Sequence, residues 1–229
     1  MTPVGQAFEK AAAQGRAVLV GYLPAGFPSV DGGIAAILAM AEAGADIVEI
    51  GLPYSDPLID GPVIQEAVHR ALTGGTRVRD VLRTVEAVAA AGVPALVMTY
   101  WNPVDHYGVG AFARDLAAAG GSGMITPDLT PEEAGPWLEA AATHRLDPVF
   151  LVAPSSTPER IKLITSVCGG FVYAASLMAS PAPVPASAVT RPAWWRGSGR
   201  ARPCRWRWGS ESGRGPRRPW TGPSSSGSV

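Results

Sequence analysis

Two carboxylates stand eleven residues apart in the stretch EIGLPYSDPLIDGP: Glu49, inside an apolar run, and Asp60, beside Gly61 and Pro62. Acids held in two different environments are the usual way to divide proton donation from proton acceptance. Glu49 lies between Val48 and Ile50, so it is expected to be partly desolvated, which suits a carboxyl to proton transfer near neutral pH. Asp60, on the loop that follows, is expected to be the wetter and more readily ionised of the two. Each also has a structural reading. Glu49 could be a buried acid paired with an Arg or a backbone amide, and Asp60 the N-cap of a helix starting at Gly61 or Pro62. Asp56, within Ser55-Asp56-Pro57, fits a turn.

Glu49 sits near the end of the apolar run DIVEIG (46–51). Similar short runs alternate with segments of helical period, and the alternation is regular. Strands are expected at 17–23, 46–51, 94–100, 122–126, 148–153 and 170–176. Helices are expected at 32–44, 61–73, 78–92 and near 110–119, from Pro131 with Glu132 and Glu133 in the first turn, and through STPERIKLITSV. Six β-α steps with strands apolar on both faces mean a parallel sheet covered by helices. A carboxylate at the C-terminal end of such a strand is where these sheets gather reacting groups. The pattern alone leaves open a doubly wound sheet or an incomplete (β/α)8 barrel. No G-x-G-x-x-G follows the first strand, which removes the main dinucleotide signature. His69, His106 and His144 read as surface residues, and GGSG at 120–123 as a helix-to-strand turn.

The chain has 229 residues, 47% hydrophobic, enough for one large domain. Cys168 and Cys204 make neither a disulfide framework nor a metal spacing, which fits a reducing compartment. Glu9 and Lys10 precede a short apolar run, the wrong order for a signal peptide, and no window reaches the length of a membrane span. A cytoplasmic location is expected. The formal net charge of zero argues against nucleic acid as main partner, but it hides a split. Residues 1–179 carry ten Lys and Arg against eighteen Asp and Glu; residues 180–229 carry nine against one. That tail holds nine Arg, nine Ser, eight Pro, seven Gly and five Trp, and no Leu, Ile, Phe, Met or Tyr. It reads as a domain boundary near 179. The tail is either a basic, Trp-interleaved arm for single-stranded nucleic acid or the product of reading a GC-rich coding region out of frame. The second is favoured, because the switch falls where a seventh β-α unit should begin and the tail lacks Lys. Residues 180–229 are accordingly expected to be disordered, with no paired strand.

The stretch EIGLPYSDPLIDGPVIQEA resembles the signature of the tryptophan synthase alpha chain family. GYLPAGFPS, MTYWNPVDHYGVGAFARDLAAAGGSGMITPDLTPEEA and VYAAS agree with it in order, over residues 1 to about 179. The resemblance implies a (β/α)8 barrel, here with about six of its units. It also implies retro-aldol-like cleavage of indole-3-glycerol phosphate to indole and glyceraldehyde 3-phosphate. Glu49 then matches the acid-base carboxylate and Asp60 the one that meets the indole N–H. Tyr22, Met98, Tyr100, Ile125, Leu151 and Tyr173 fall where the family lines its indole pocket, although as apolar strand residues they also suit a core. Asn102, Pro103 and Asp128 fall on loops used towards a beta chain, with turn formation and capping as their alternative. No cofactor is implied in this chain; pyridoxal phosphate belongs to the beta chain, in an alpha2-beta2 assembly. Family members follow strand six with glycine-rich loops that cradle the substrate phosphate. Here the chain reads LMASPAPVPAS and then the basic tail, so no residue is assigned to phosphate. A silent subunit docked on the beta chain, or another phosphate-binding barrel such as indole-glycerol-phosphate synthase, are the alternatives.

Overall fold

The computed structural model describes residues 1–175 and the strand at 205–209. Its first element, α1 (Pro3–Ala13), was not anticipated from the sequence. Thr2 caps it by accepting from the Gly5 amide at 3.3 Å, and Pro3 supplies a first-turn residue that needs no N–H.

The β-α order then runs β1 (Val20–Pro24), α2 (Val30–Glu42), β2 (Ile47–Gly51), α3 (Pro62–Thr73), α4 (Val78–Ala90) and β3 (Ala95–Met98). It continues through α5 (Trp101–Tyr107), α6 (Val109–Ala118), β4 (Gly123–Thr126), α7 (Gly135–His144), β5 (Asp147–Val152), α8 (Pro158–Val167) and β6 (Phe171–Ala175). All these strands are parallel and lie in sequence order. Among the described residues β1 pairs with β2 alone, so the sheet curls as a part-barrel without closing.

Alternation along the strands sorts the side chains onto two faces. Val48, Ile50, Val97, Met124, Phe150, Val152 and Val172 pack outward against helix residues such as Ile37, Val81, Val85, Leu116 and Trp137. Ile47, Leu96, Ile125, Val149, Phe171 and Tyr173 face inward, where Val4 and Phe8 of α1 join them. The Phe8 and Phe171 rings lie 5.5 Å apart. Helix α1 therefore plugs the interior of the curled sheet.

Several expected boundaries move for identifiable reasons. Strand β1 begins three residues late because the chain before it is tied to the turn preceding β2. Arg16 grips both Asp46 oxygens at 2.6 and 2.7 Å, and the Leu19 amide donates to Asp46 at 2.8 Å. Residues 101–107 are a helix and not a loop. Helix α7 starts at Gly135, so Glu132 and Glu133 are not in its first turn; Glu132 instead pairs with Arg160 of α8, and Glu133 accepts from the Thr130 hydroxyl at 3.2 Å.

The tail departs furthest from expectation. β7 (Arg205–Gly209) pairs with β6 in parallel register, Phe171 opposite Arg205 through Ala175 opposite Gly209. The expectation that the tail carries no paired strand is corrected. An open sheet edge offers main-chain N–H and C=O groups, and accepting a strand there requires no particular side chains. The boundary near 179 and the expected disorder of the remaining tail lie outside the described residues.

Candidate active site

Strand β2 is buried at all five positions. With Val48 and Ile50 turned to the helices, Ile47, Glu49 and Gly51 face the interior, and Glu49 is only 2% exposed. Tyr22 of β1 stands opposite it in register. The Tyr22 phenol lies over Gly51, where an added Cβ would come within 2.5 Å of its oxygen. Glycine at 51 is what lets that ring lie flat against the strand end.

The chain leaves β2 through a loop pinned by Tyr100, just beyond β3. The Tyr100 hydroxyl accepts from the Leu58 amide at 2.8 Å and the Ile59 amide at 3.0 Å, and donates to Asp60 Oδ2 at 3.3 Å. The Tyr54 ring packs on Tyr100 with centroids 5.3 Å apart, and Asn102 Nδ2 donates to the Tyr54 hydroxyl at 3.3 Å. Tyr22, Tyr54, Asp60, Met98 and Tyr100 line one cavity, with Leu52, Val68, Thr99 and Pro127 completing its wall.

Electrostatics tie these groups together. The Tyr22 phenol is pushed well above its ordinary value, first by burial and then by the charges of Asp60 and Glu49, with smaller effects from Tyr100 and Tyr173. Burial likewise pushes the Asp60 carboxyl up, and the Tyr100 hydroxyl pulls it partly back. Tyr100 is raised to about 12, chiefly by burial and against the two amides it accepts from. Asp60 is thus half-buried, which makes it the wetter of the two acids as expected, but with its carboxyl pushed up it is not a readily ionised one. Nor does it cap α3: Gly61 holds the cap position with no side-chain bond, and the Asp60 carbonyl accepts from Gln65 Nε2 at 2.8 Å. Asp56 accepts from Ser55 at 2.6 Å within its turn, as expected.

A carboxyl whose folded pKa is raised contributes stability below its unfolded pKa and loses it as pH rises through the folded pKa. Asp60→Asn should therefore raise Tm at about pH 8 and lose that advantage towards about pH 3, where the unfolded group is protonated too. Thermal melts at both pH values check this; an equal Tm difference at each would contradict it.

Comparison with known proteins supplies the family. The profile of the family described as "Tryptophan synthase alpha chain" matches residues 8–182. The tryptophan synthase alpha chain of Salinispora arenicola is 64% identical over 178 residues, covering 78% of this chain and 67% of that one. The chain belongs to the tryptophan synthase alpha chain family. Family members are lyases that cleave indole-3-glycerol phosphate and work with a beta chain, to which the pyridoxal phosphate belongs. A solved structure of Mycobacterium tuberculosis tryptophan synthase superposes with a TM-score of 0.76 at 59% identity, over 77% of this chain and 69% of the other. The alpha subunit from Legionella pneumophila superposes at 0.73 with 34% identity, over 76% and 67%.

Asp60, Tyr22, Met98 and Tyr100 line one cavity, whereas Glu49 is not in its lining and stands beside it in the middle of β2, opposite Tyr22. Ile125, Leu151 and Tyr173 share the inward face, with Ile125 wholly enclosed among Ile47, Leu96 and Val149. Tyr54, which the sequence reading passed over, enters the site from the middle of the Pro53-Tyr54-Ser55 turn; its only signal was an aromatic in a segment otherwise made of turn formers. Asn102 and Pro103 lie in the first turn of α5, and Asp128 accepts from the Trp101 amide at 3.0 Å through both oxygens, so it caps that helix from the turn after β4. His69 and His106 are exposed, and His144 is half-buried. Among the described residues, no three His, Cys, Asp or Glu side chains gather to hold a metal, and no helix is long and apolar enough to cross a membrane.

Proposed function

We propose that residues 1–175 carry the reaction centre for cleavage of indole-3-glycerol phosphate. Glu49 delivers a proton to indole C3 and accepts one from the glycerol hydroxyl, so that the carbon-carbon bond breaks to give indole and the aldehyde of glyceraldehyde 3-phosphate. Asp60 accepts the indole N–H and stabilises the positive charge that the ring develops as C3 is protonated. Tyr22, Met98 and Tyr100 form the walls against the ring, with Leu151, Ile125 and Tyr173 deeper on the same face. The observation that carries this reading is the convergence on Tyr22 of two acids from different chain positions, one from inside strand β2 and one from its loop.

Titrating the isotope-labelled chain with indole tests it without turnover. Resonances of Tyr22, Met98, Tyr100 and Asp60 should shift together, and shifts confined to the outer helices would overturn the assignment. The partner in this reading is a tryptophan synthase beta chain in an alpha2-beta2 assembly, met by the surface of Asn102, Pro103 and Asp128 at the start of α5, and the location is the cytoplasm. This chain needs no cofactor of its own for a proton-transfer reaction.

A further inference from the structure

The Tyr100 hydroxyl has its bonding capacity filled by the loop that carries Asp60. A phenol offers one proton and two lone pairs. The lone pairs face the Leu58 and Ile59 amides and the proton faces Asp60 Oδ2. Nothing remains on that oxygen for a polar group of a substrate. The ring is equally constrained, since Tyr54 packs against it and is itself held by Asn102. The backbone that carries the ring is anchored as well, because Tyr100 occupies the N-cap of α5 and the next amide is fixed by Asp128.

We propose that Tyr100 is a positioning residue that sets the placement and rotamer of Asp60 by clamping the backbone of residues 58–60 to the start of α5. The proposal rests on the reading of Asp60 given above. Two amides converging on one acceptor fix where the loop lies, and the donated proton engages Oδ2. Oδ1 is then the oxygen available to an indole N–H. The Tyr100 ring still forms a wall of the cavity, but its hydroxyl belongs to the protein.

Amide exchange and carbon-13 titration of the full chain, without substrate, test the clamp. In Tyr100→Phe the Leu58 and Ile59 amides should exchange roughly tenfold faster, the effect of losing one ordinary hydrogen bond. The Asp60 midpoint should rise, because its carboxylate loses a donor. Tyr107→Phe, whose hydroxyl donates to Asp115 at 2.8 Å and not to residues 58–60, should change neither. Should Tyr100→Phe fold poorly, 3-fluorotyrosine at Tyr100 keeps the shape while strengthening the donor, and the Asp60 midpoint should fall. Unchanged exchange and midpoint in both variants would overturn the proposal. Asp60→Asn separates the two ideas: its amides should stay protected while indole binding weakens. Protected amides with undiminished indole binding would remove the reading of Asp60 and leave the clamp standing.

Discussion

Replacing everything after residue 179 with a family-like C-terminal segment should raise the rate of indole-3-glycerol phosphate cleavage at least about a thousandfold over the chain as it stands. The acids and walls of the proposed site come from β1 to β3 and their loops, and they are all present. What the sequence lacks is any stretch matching the glycine-rich phosphate loops that the family resemblance implies after strand six. The family profile ends at residue 182, close to where the composition turns to Arg, Pro, Ser and Trp. A phosphate cradle supplies several charge-assisted hydrogen bonds, each worth roughly 1.5–3 kcal/mol. Binding energy at that remote group also orients the carbon that reacts, so its loss reduces rate as well as affinity. Steady-state assays of both chains, with and without a beta chain, measure the gain, and equal turnover would show the lost loops to be dispensable. In the extended chain Glu49→Gln should lower kcat by about 10²–10⁴-fold with little change in KM, because the amide keeps the shape of the side chain but carries no transferable proton.

The parts of this fold that periodicity controls were legible beforehand. Strand β2 and its neighbours declared themselves through runs apolar on both faces, and that placed Glu49 within β2, although it is the third of the strand's five residues and not at its end. Asp60 was found and rightly read as wetter than Glu49, but its capping alternative and its ready ionisation did not hold. Its environment depends on a tyrosine forty residues away, and neither residue carries a local sign of the other. Its flanking Gly61 and Pro62 suggested a cap, whereas the group stands half-buried, with burial pushing its carboxyl up and the Tyr100 hydroxyl pulling it partly back. Helix α5 was missed because seven residues containing Asn and Pro show too little period, and its first N–H is satisfied by Asp128 from a different β-α turn. Composition failed at β7 for the opposite reason. It excluded a core strand on side-chain grounds, but the pairing with β6 is made by main-chain groups.

Gly123→Ala should destabilise the chain by about 3 kcal/mol, the upper range for overpacking a closed interior. The GGSG segment reads as a turn, and Gly120 bears that out with φ of 80°. Gly123 serves a different purpose. It stands opposite Asp147 in the β4–β5 register, and a Cβ there would overlap the Asp147 carbonyl oxygen and lie 2.8 Å from its nitrogen. Backbone atoms cannot rotate aside as a side-chain tip does, so β5 would have to retreat from β4. It has little room to do so. The buried Asp147 side chain packs so closely against Gly169 and Gly170 that a Cβ on them would fall 2.8 and 3.1 Å from its two carboxyl oxygens. One of those oxygens, Oδ2, has no partner, and burial pushes the Asp147 carboxyl up. Moving β5 would disturb a group that is already poorly compensated. Gly110→Ala provides the contrast, since an added Cβ in the first turn of α6 meets nothing within 4 Å. It should leave stability unchanged or raise it by up to about 1 kcal/mol through helix propensity. Denaturant midpoints at unchanged m compare the two. If Gly123→Ala proved as mild as Gly110→Ala, the spacing between β4 and β5 would have to be more yielding than a backbone contact allows.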